Sequence, residues 1–173
     1  MSAPIQIVND RDEPVGSATK QEAWQKGLWH RVVRIMLDDG KGSILLQHRS
    51  PTKDIYPNCW DNSSAGHVDA GETYIDAAYR ELREELGLTG VQLEALGSYR
   101  DEHTWHGHQM KRFVQVYTAT IQTTPKGNEP NNIDAVQWFS IADAQQLVWD
   151  HPDQVTDGLR QVIGYFYKAS TRS

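Results

Sequence analysis

The chain is 173 residues long, with 38% hydrophobic and 23% charged residues and a formal net charge of −6. That length is ample for one domain with its own core, and the acidic balance offers no basic patch to attract a nucleic acid polymer. No apolar run approaches a membrane span, no signal peptide is expected from Met1 to Asp12, and the single cysteine, Cys59, excludes an internal disulfide and fits a reducing cytoplasm.

Ile5 to Val8 is a short apolar run, ended by Asn9-Asp10 and followed by Pro14-Val15-Gly16, which reads as a small hairpin. Ser17-Ala18-Thr19 can cap a short helix from Lys20 to Gln25 that stops at Gly27, so the hairpin and helix together occupy about residues 4–27. Leu28 to Leu37, rich in Val and Ile, reads as a strand. Asp38 to Gly42 turns the chain, and Ser43 to His48 returns as the second strand of a hairpin. Ile44, Leu45 and Leu46 in succession predict burial on both faces.

Ser50 to Asn58 is a polar loop, and Trp60 to Ser64 a short strand. Val91 to Thr104 and Gln109 to Thr123 read as two more strands, Thr124 to Asn132 as a loop, and Ala135 to Ser140 as the last strand. Ser140 caps a helix from Ile141 to Val148. A final helix starts at His151 or Pro152 and runs to about Lys168, with Val155, Leu159, Val162, Ile163 and Phe166 on one face, so the C-terminal helices fill about residues 141–168. Strands before and after a central helix predict a mixed sheet between helices.

The chemistry concentrates in residues 66–88. From 72 to 86 an apolar stripe of Ile75, Ala78, Tyr79, Leu82 and Leu86 predicts a helix. Glu81, Glu84 and Glu85 then share roughly a 100° arc on its far-to-flanking side. Their mutual repulsion is about 0.2–0.5 kcal/mol for each neighbouring pair, and Arg80 relieves part of it. Oxygen donors fixed on a helix suit a hard divalent cation. Glu72 and Asp76 place negative charge near the helix start, and Gly87 ends it. A bare Glu-Glu pair is most often a solvated helix face; here nine specified positions match a longer pattern. Gly66, Glu72, Arg80, Glu81, Leu82, Glu84, Glu85, Gly87 and Leu88 fill it: Gly, five residues, Glu, seven residues, Arg-Glu, an aliphatic, any residue, Glu-Glu, any residue, Gly, an aliphatic.

That segment resembles the Nudix box. The resemblance implies a Nudix-type α/β/α sandwich with a mixed β-sheet over residues 1–173. It implies an enzyme that hydrolyses phosphorus anhydride bonds, typically in a nucleoside diphosphate linked to another group. Metal ligation is implied for Glu81, Glu84, Glu85 and the Gly66 carbonyl, with Mg2+ the default and Mn2+ the alternative. Glu81 or Glu85 is the implied helix-borne catalytic base, while Glu102, Glu129 and Asp134 are candidates from later segments. Arg80 is expected to orient a glutamate. The expected partner is a small-molecule diphosphate, with no membrane, and members of the family are often homodimers.

Leu28 to His67 further resembles the type I isopentenyl-diphosphate isomerase branch of that superfamily, through His30, Gln47-His48-Arg49-Ser50, Lys53, Pro57, Trp60, Asn62 and Gly66-His67. The resemblance implies that Arg49 and Lys53 bind the diphosphate, as a fixed cation pair would. It also shows departures. The isomerase cysteine falls at Ala65, and Cys59 lies six residues too early. Of the three metal-site histidines, His30 and His67 are matched and the third falls at about Ala23; the two metal-site glutamates fall at about Met110 and Arg112. Isomerisation needs an acid and a base on opposite faces of a pocket, so hydrolysis is expected over isomerisation or a non-catalytic binding role. His103, His106 and His108 read as a polar loop or pocket rim rather than a zinc site. Trp105 beside them is a candidate stacking surface. Cys59 is expected to be inert.

Overall fold

The structure is a computed structural model that describes residues 2–127 and 133–168. Strands β1 (Ile5–Val8) and β2 (Pro14–Ala18) form the first hairpin, followed by helix α1 (Lys20–Lys26), β3 (Trp29–Asp38) and β4 (Ser43–Arg49). Two very short strands, β5 (Trp60–Asp61) and β6 (Ser64–His67), lead to helix α2 (Tyr74–Leu86). Then come β7 (Glu94–Trp105), β8 (His108–Thr120), β9 (Ile133–Ser140), α3 (Ile141–Asp150), a 3-10 turn (Pro152–Gln154) and α4 (Asp157–Phe166). The four α-helices among the described residues start on a Ser or Thr in extended conformation: Thr19, Thr73, Ser140 and Thr156 each accept a bond from the backbone N–H three residues on. Each supplies an acceptor to the unpaired first turn.

The sheet is mixed and forks. β3 runs parallel to β8 from Trp29↔Lys111 to Asp38↔Thr120, and antiparallel to β6 on its other edge. The expected β3–β4 hairpin is present at its turn only, where Asp38 pairs with Ile44. Beyond that point β4 leaves β3 and pairs with β9 along Ser43–Arg49, and with β5 at Gln47 and His48. Each strand finds a longer partner elsewhere, and the backbone groups at the fork go to a side chain. Ser63 Oγ accepts from Leu37 N–H at 2.8 Å and donates to the Leu45 carbonyl, bridging the two strands. Buried backbone polar groups need such partners. The segment from β5 to β6 thus crosses the fork, pairing first with β4 and then with β3.

Helices cover both faces. Val33, Ile35, Leu37 and Leu45 pack under Ala77, Ala78, Leu82 and Leu86 of α2. Val32, Met36, Ile44, Leu46, Val114 and Val116 pack under Ala144 and Val148 of α3 and Leu159, Val162 and Ile163 of α4. Leu45 points one way and Ile44 and Leu46 the other, as the unbroken apolar run requires. The architecture is the α/β/α sandwich, with α1 closing a small cluster of Ile5, Ile7, Ala18 and Ala23 at one end.

Other expected elements differ too: the single strand expected from Trp60 to Ser64 is two, β5 and β6, which pair with different partners. The final helix is broken: after the 3-10 turn, Val155 is extended and bridges Trp60, and α4 starts only after Thr156. The cause is β5, which takes the Thr156 N–H on the Trp60 carbonyl at 2.9 Å and the Thr156 hydroxyl on Asp61 at 2.8 Å. On α2 the buried side is Ala77, Ala78, Leu82, Glu85 and Leu86, while Tyr79 is 40% exposed. The helix is rolled so that Glu85 faces the fork. Leu82→Ala should therefore cost about 2–5 kcal/mol and Tyr79→Ala about 1 kcal/mol or less. Urea denaturation of both variants checks this, and equal losses would contradict the observed roll.

Candidate active site

The fork opens a cleft of about 650 Å³. One wall is β3 and β6, with Val32, Arg34, Ala65, Gly66 and His67; the other is β4 and β5, with Gln47, Arg49 and Asp61. Glu81, Glu84 and Glu85 enter from α2, and Lys53 to Tyr56 from the loop after β4. His103, Trp105, Met110 and Arg112 enter from the β7–β8 hairpin, and Thr156 and Asp157 from the start of α4.

The three glutamates stand in unequal surroundings. Glu85 is 9% exposed, and its carboxylate accepts from Gln47 Nε2 at 2.7 Å. Burial, and then the adjacent Glu81, push it well above the ordinary carboxylate range. Burial also pushes Glu81 up, against the pull of Arg80. Two such carboxyls titrate as a pair and tend to share a proton. Glu84 has a side chain 43% exposed, at the mouth. Gly66 lies under Glu81: a Cβ there would stand 2.0 Å from Glu81 Oε1, so any side chain at this position would displace the carboxylate.

Arg80 holds this end together. Its guanidinium donates to Glu72 at 2.8 and 2.9 Å, to Glu81 at 2.7 Å, to Glu84 at 3.3 Å and to the His67 carbonyl at 2.9 Å. It is an orienting residue in the geometric sense, fixing two of the three glutamates and the end of β6.

The far end is walled differently. His30 and His67 stack with ring centroids 5.3 Å apart, and Trp24 lies 6.1 Å from His67. Burial holds His30 neutral, lowering its pKa to about 4, and also lowers that of His67. The α1 ring beside the histidines belongs to Trp24, while Ala23 is buried in the small end cluster. Met110 and Arg112 both line the cleft. Arg112 donates to Asp101 Oδ2 through Nε at 2.8 Å and through Nη2. His103 bridges Asp101 at 2.9 Å and Asp157 at 3.5 Å, and Asp157 also accepts from the Tyr56 hydroxyl. Trp105 packs on Tyr56, with ring centroids 5.6 Å apart.

The cleft thus brings together Gly66, Glu81, Glu84, Glu85, Arg49 and Lys53. Arg49 also organises the loop after β4, donating to the Ile55 carbonyl at 2.8 Å and reaching Asp61 at 3.4 Å. Glu102 and Asp134 lie elsewhere: Glu102 pairs with Lys111 at 3.4 Å and Asp134 with His48 at 3.4 Å, both with at least half-exposed side chains. Glu129 falls outside the described residues. His106 sits at the hairpin turn with φ of 44°. Among the described residues, no three His, Cys, Asp or Glu side chains already stand as a ligating group; at the glutamate end, Arg80 occupies part of that capacity. Cys59 is buried, its Sγ 3.6 Å from the Asp153 carbonyl. Sequence reasoning missed Arg34, Asp61, Tyr56 and Asp157. Only Asp61, between Trp60 and Asn62 in the isomerase-like stretch, had a local signal.

A family profile described as the NUDIX domain matches residues 28–159. A Nudix hydrolase of Deinococcus radiodurans is 36% identical over 138 residues, covering 79% of this chain and 78% of that protein. An uncharacterized Nudix hydrolase of Yersinia pestis is 31% identical over 135 residues, covering 78% and 71%. An isopentenyl-diphosphate Delta-isomerase 2 of Photorhabdus laumondii is 30% identical over 167 residues, covering 94% and 92%. In structure, the chain resembles the crystal structure of DR0079 from Deinococcus radiodurans, with a TM-score of 0.81 and 28% identity, covering 95% of this chain and 99% of that one. With the profile spanning most of the sequence and hydrolases of that kind among its relatives, the chain belongs to the Nudix family and is one of its hydrolases of phosphorus anhydride bonds.

Proposed function

We propose that the chain is a divalent-metal-dependent hydrolase that cleaves the diphosphate linkage of a nucleoside-diphosphate-X or related small molecule. The observation that carries this reading is the buried Glu81/Glu85 pair in the fork. Two carboxyls forced together away from water are costly unless protonated or matched by a cation. The donor set fits magnesium or manganese, since it is all oxygen and Glu84 at the mouth leaves room for retained waters. Glu81, Glu84, Glu85 and the Gly66 carbonyl would hold the ion. When bound, the ion neutralises diphosphate charge and acidifies a water.

The residues of the chain then have separate tasks. Arg80 keeps Glu81 and Glu84 turned toward the cleft. Gln47 fixes the Glu85 carboxylate. Arg49 and Lys53 face the phosphate oxygens, Arg49 through a guanidinium already anchored on loop carbonyls. Water adds to one phosphorus, the anhydride P–O bond breaks with its electron pair on the departing phosphate, and the water proton goes to a carboxylate of the Glu81/Glu85 pair. This pair is the choice for the base because the other described candidates, Glu102 and Asp134, do not line the cleft.

Isomerisation is the weaker reading despite the isomerase relatives. Ala65 occupies the wall where a thiol is needed and can neither give nor take a proton, and Met110 and Arg112 stand where the isomerase resemblance places metal-binding glutamates. Solvent-deuterium incorporation into isopentenyl diphosphate should therefore stay at background. Uptake at a catalytic rate by the unaltered protein would overturn the hydrolase reading.

Glu84→Gln and Glu85→Gln should each lower magnesium-dependent turnover roughly 100-fold or more, the scale of losing one electrostatic contact to the transition state. A panel of nucleoside diphosphate derivatives assayed for phosphate release measures this, and wild-type turnover in both variants would remove the metal assignment. A pH test is independent of substrate. Because Glu85 is raised in the folded protein, the native state binds its proton more tightly than the unfolded chain does. Metal-free stability should then fall as pH rises from about 4.3, the ordinary glutamate value, through the raised one. With chelator present, the melting temperature of Glu85→Gln relative to wild type should climb as pH rises above about 4.3, and magnesium should abolish the trend. A pH-independent difference would show that Glu85 carries no such burden.

A further inference from the structure

Arg34 is 5% exposed and lines the cleft from the middle of β3. Its guanidinium fills the space beside Gly158 at the start of α4, where a Cβ would stand 1.6 Å from Nη1, so the group is seated against the helix. Its Nε–H is buried with no hydrogen-bond partner among the described residues. Burial works against its charge, and Tyr99, which hydrogen-bonds the guanidinium, with Asp61 and Asp101 nearby, sustains it, but both carboxylates give their direct bonds to other donors. Asp61 accepts from Asn62 N–H at 2.8 Å, Asn62 Nδ2 at 2.9 Å, Thr156 Oγ1 at 2.8 Å and Arg49 at 3.4 Å. Asp101 accepts from Arg112 and from Gln161 Nε2 at 2.9 Å, and it bonds the His103 ring. A buried guanidinium has five N–H donors to satisfy, and an arginine left short of partners in a cleft is built for an anion.

Arg112 completes the pair. It stands opposite His30 in the β3–β8 register, four residues from Arg34 on the same face of the sheet. Asp101 engages its Nε and Nη2, and the side chain lines the cleft. Val32, Ala65 and Met110 line the same end with apolar surface, which strengthens any charge-assisted bond made there. This end is not the glutamate end. Arg34 pairs with Ala65 and Val33 with Gly66, and strand alternation turns successive residues to opposite faces. Val33 belongs to the α2 core, whereas Arg34 packs on α4.

We propose that Arg34 and Arg112 form a second anion subsite, which takes a negatively charged substituent of the substrate, a phosphate monoester or carboxylate, other than the scissile diphosphate. The proposal rests on the reading of the cleft as a diphosphate site, but its test needs neither metal nor turnover. The Nε–H resonances of Arg34 and Arg112 in the full chain are followed by NMR in chelator, with assignments from Arg34→Lys and Arg112→Lys. Inorganic phosphate and acetate are titrated separately against chloride at matched ionic strength. A saturable shift of both resonances with phosphate or acetate, retained in Glu85→Gln, is the expected result, and the stronger anion identifies the substituent. Arg34→Met, which keeps the volume and removes the charge, should weaken that binding about tenfold or more. Movement confined to the Arg49 resonance, or no saturable shift of Arg34 in the unaltered protein, would overturn the subsite. Loss of magnesium-dependent hydrolysis in a separate assay would instead count against the diphosphate reading alone.

Discussion

Arg80 is the cation on which the glutamate end of the cleft depends. Its guanidinium reaches two oxygens of Glu72, one each of Glu81 and Glu84, and the His67 carbonyl. Those partners come from the loop before α2, from two turns of the helix itself and from the end of β6. Without a central cation the carboxylates would repel one another and the tie between the helix and the end of β6 would be lost. The neighbouring Glu72 strengthens the hold further: the pair keeps arginine charged and Glu72 below its usual carboxylate range. Glu81 is partly relieved by the same contact, while Glu85, one turn on, is held by Gln47 and by the neighbouring Glu81 carboxyl.

That asymmetry gives the site its chemistry. Glu84 is wet, Glu81 is paired and Glu85 is dry, and burial raises the proton affinity of Glu81 and still more that of Glu85. The fork in the sheet is the source of the difference, since Glu85 points into the gap between β3 and β4 that a regular hairpin would have closed. Ser63 keeps the gap open by satisfying one backbone group from each strand. The same gap gives the cleft its second end, where α4 can pack Gly158 on Arg34.

The two ends are built on opposite logic. At the glutamate end, negative charge is gathered and awaits cations. At the far end, Arg34 and Arg112 are held beside Asp101 and Asp61 among apolar side chains and two neutral histidines. A molecule spanning the cleft would meet the carboxylates of α2 at one end and the guanidinium groups of Arg34 and Arg112 at the other. Ala65, Met110 and Arg112 stand where the isomerase resemblance places a cysteine and two glutamates, and all three line the cleft.

Much of this was legible in the sequence because the information is local. Periodicity and caps located most of the strands and helices, and the spacing of Gly66, Glu72, Arg80, Glu81, Glu84 and Glu85 marked a segment whose Gly66, Arg80 and three glutamates line the cleft. Spacing along one helix also fixed that the glutamates lie together. It could not fix which of them is buried, because rotation about the helix axis is set by what packs beneath: the structure turned Tyr79 outward and Glu85 inward. Nor could local pattern show that β3 and β4 separate, since the turn at Asp38–Gly42 is the same whether the strands pair for one residue or for seven. The break before α4 was likewise decided at a distance, by Trp60 and Asp61 drawing Thr156 onto β5. Arg34 was invisible for the same reason. In sequence it is one charge in a run of strand residues, and only the meeting of β3, β8 and α4 makes it a buried cation.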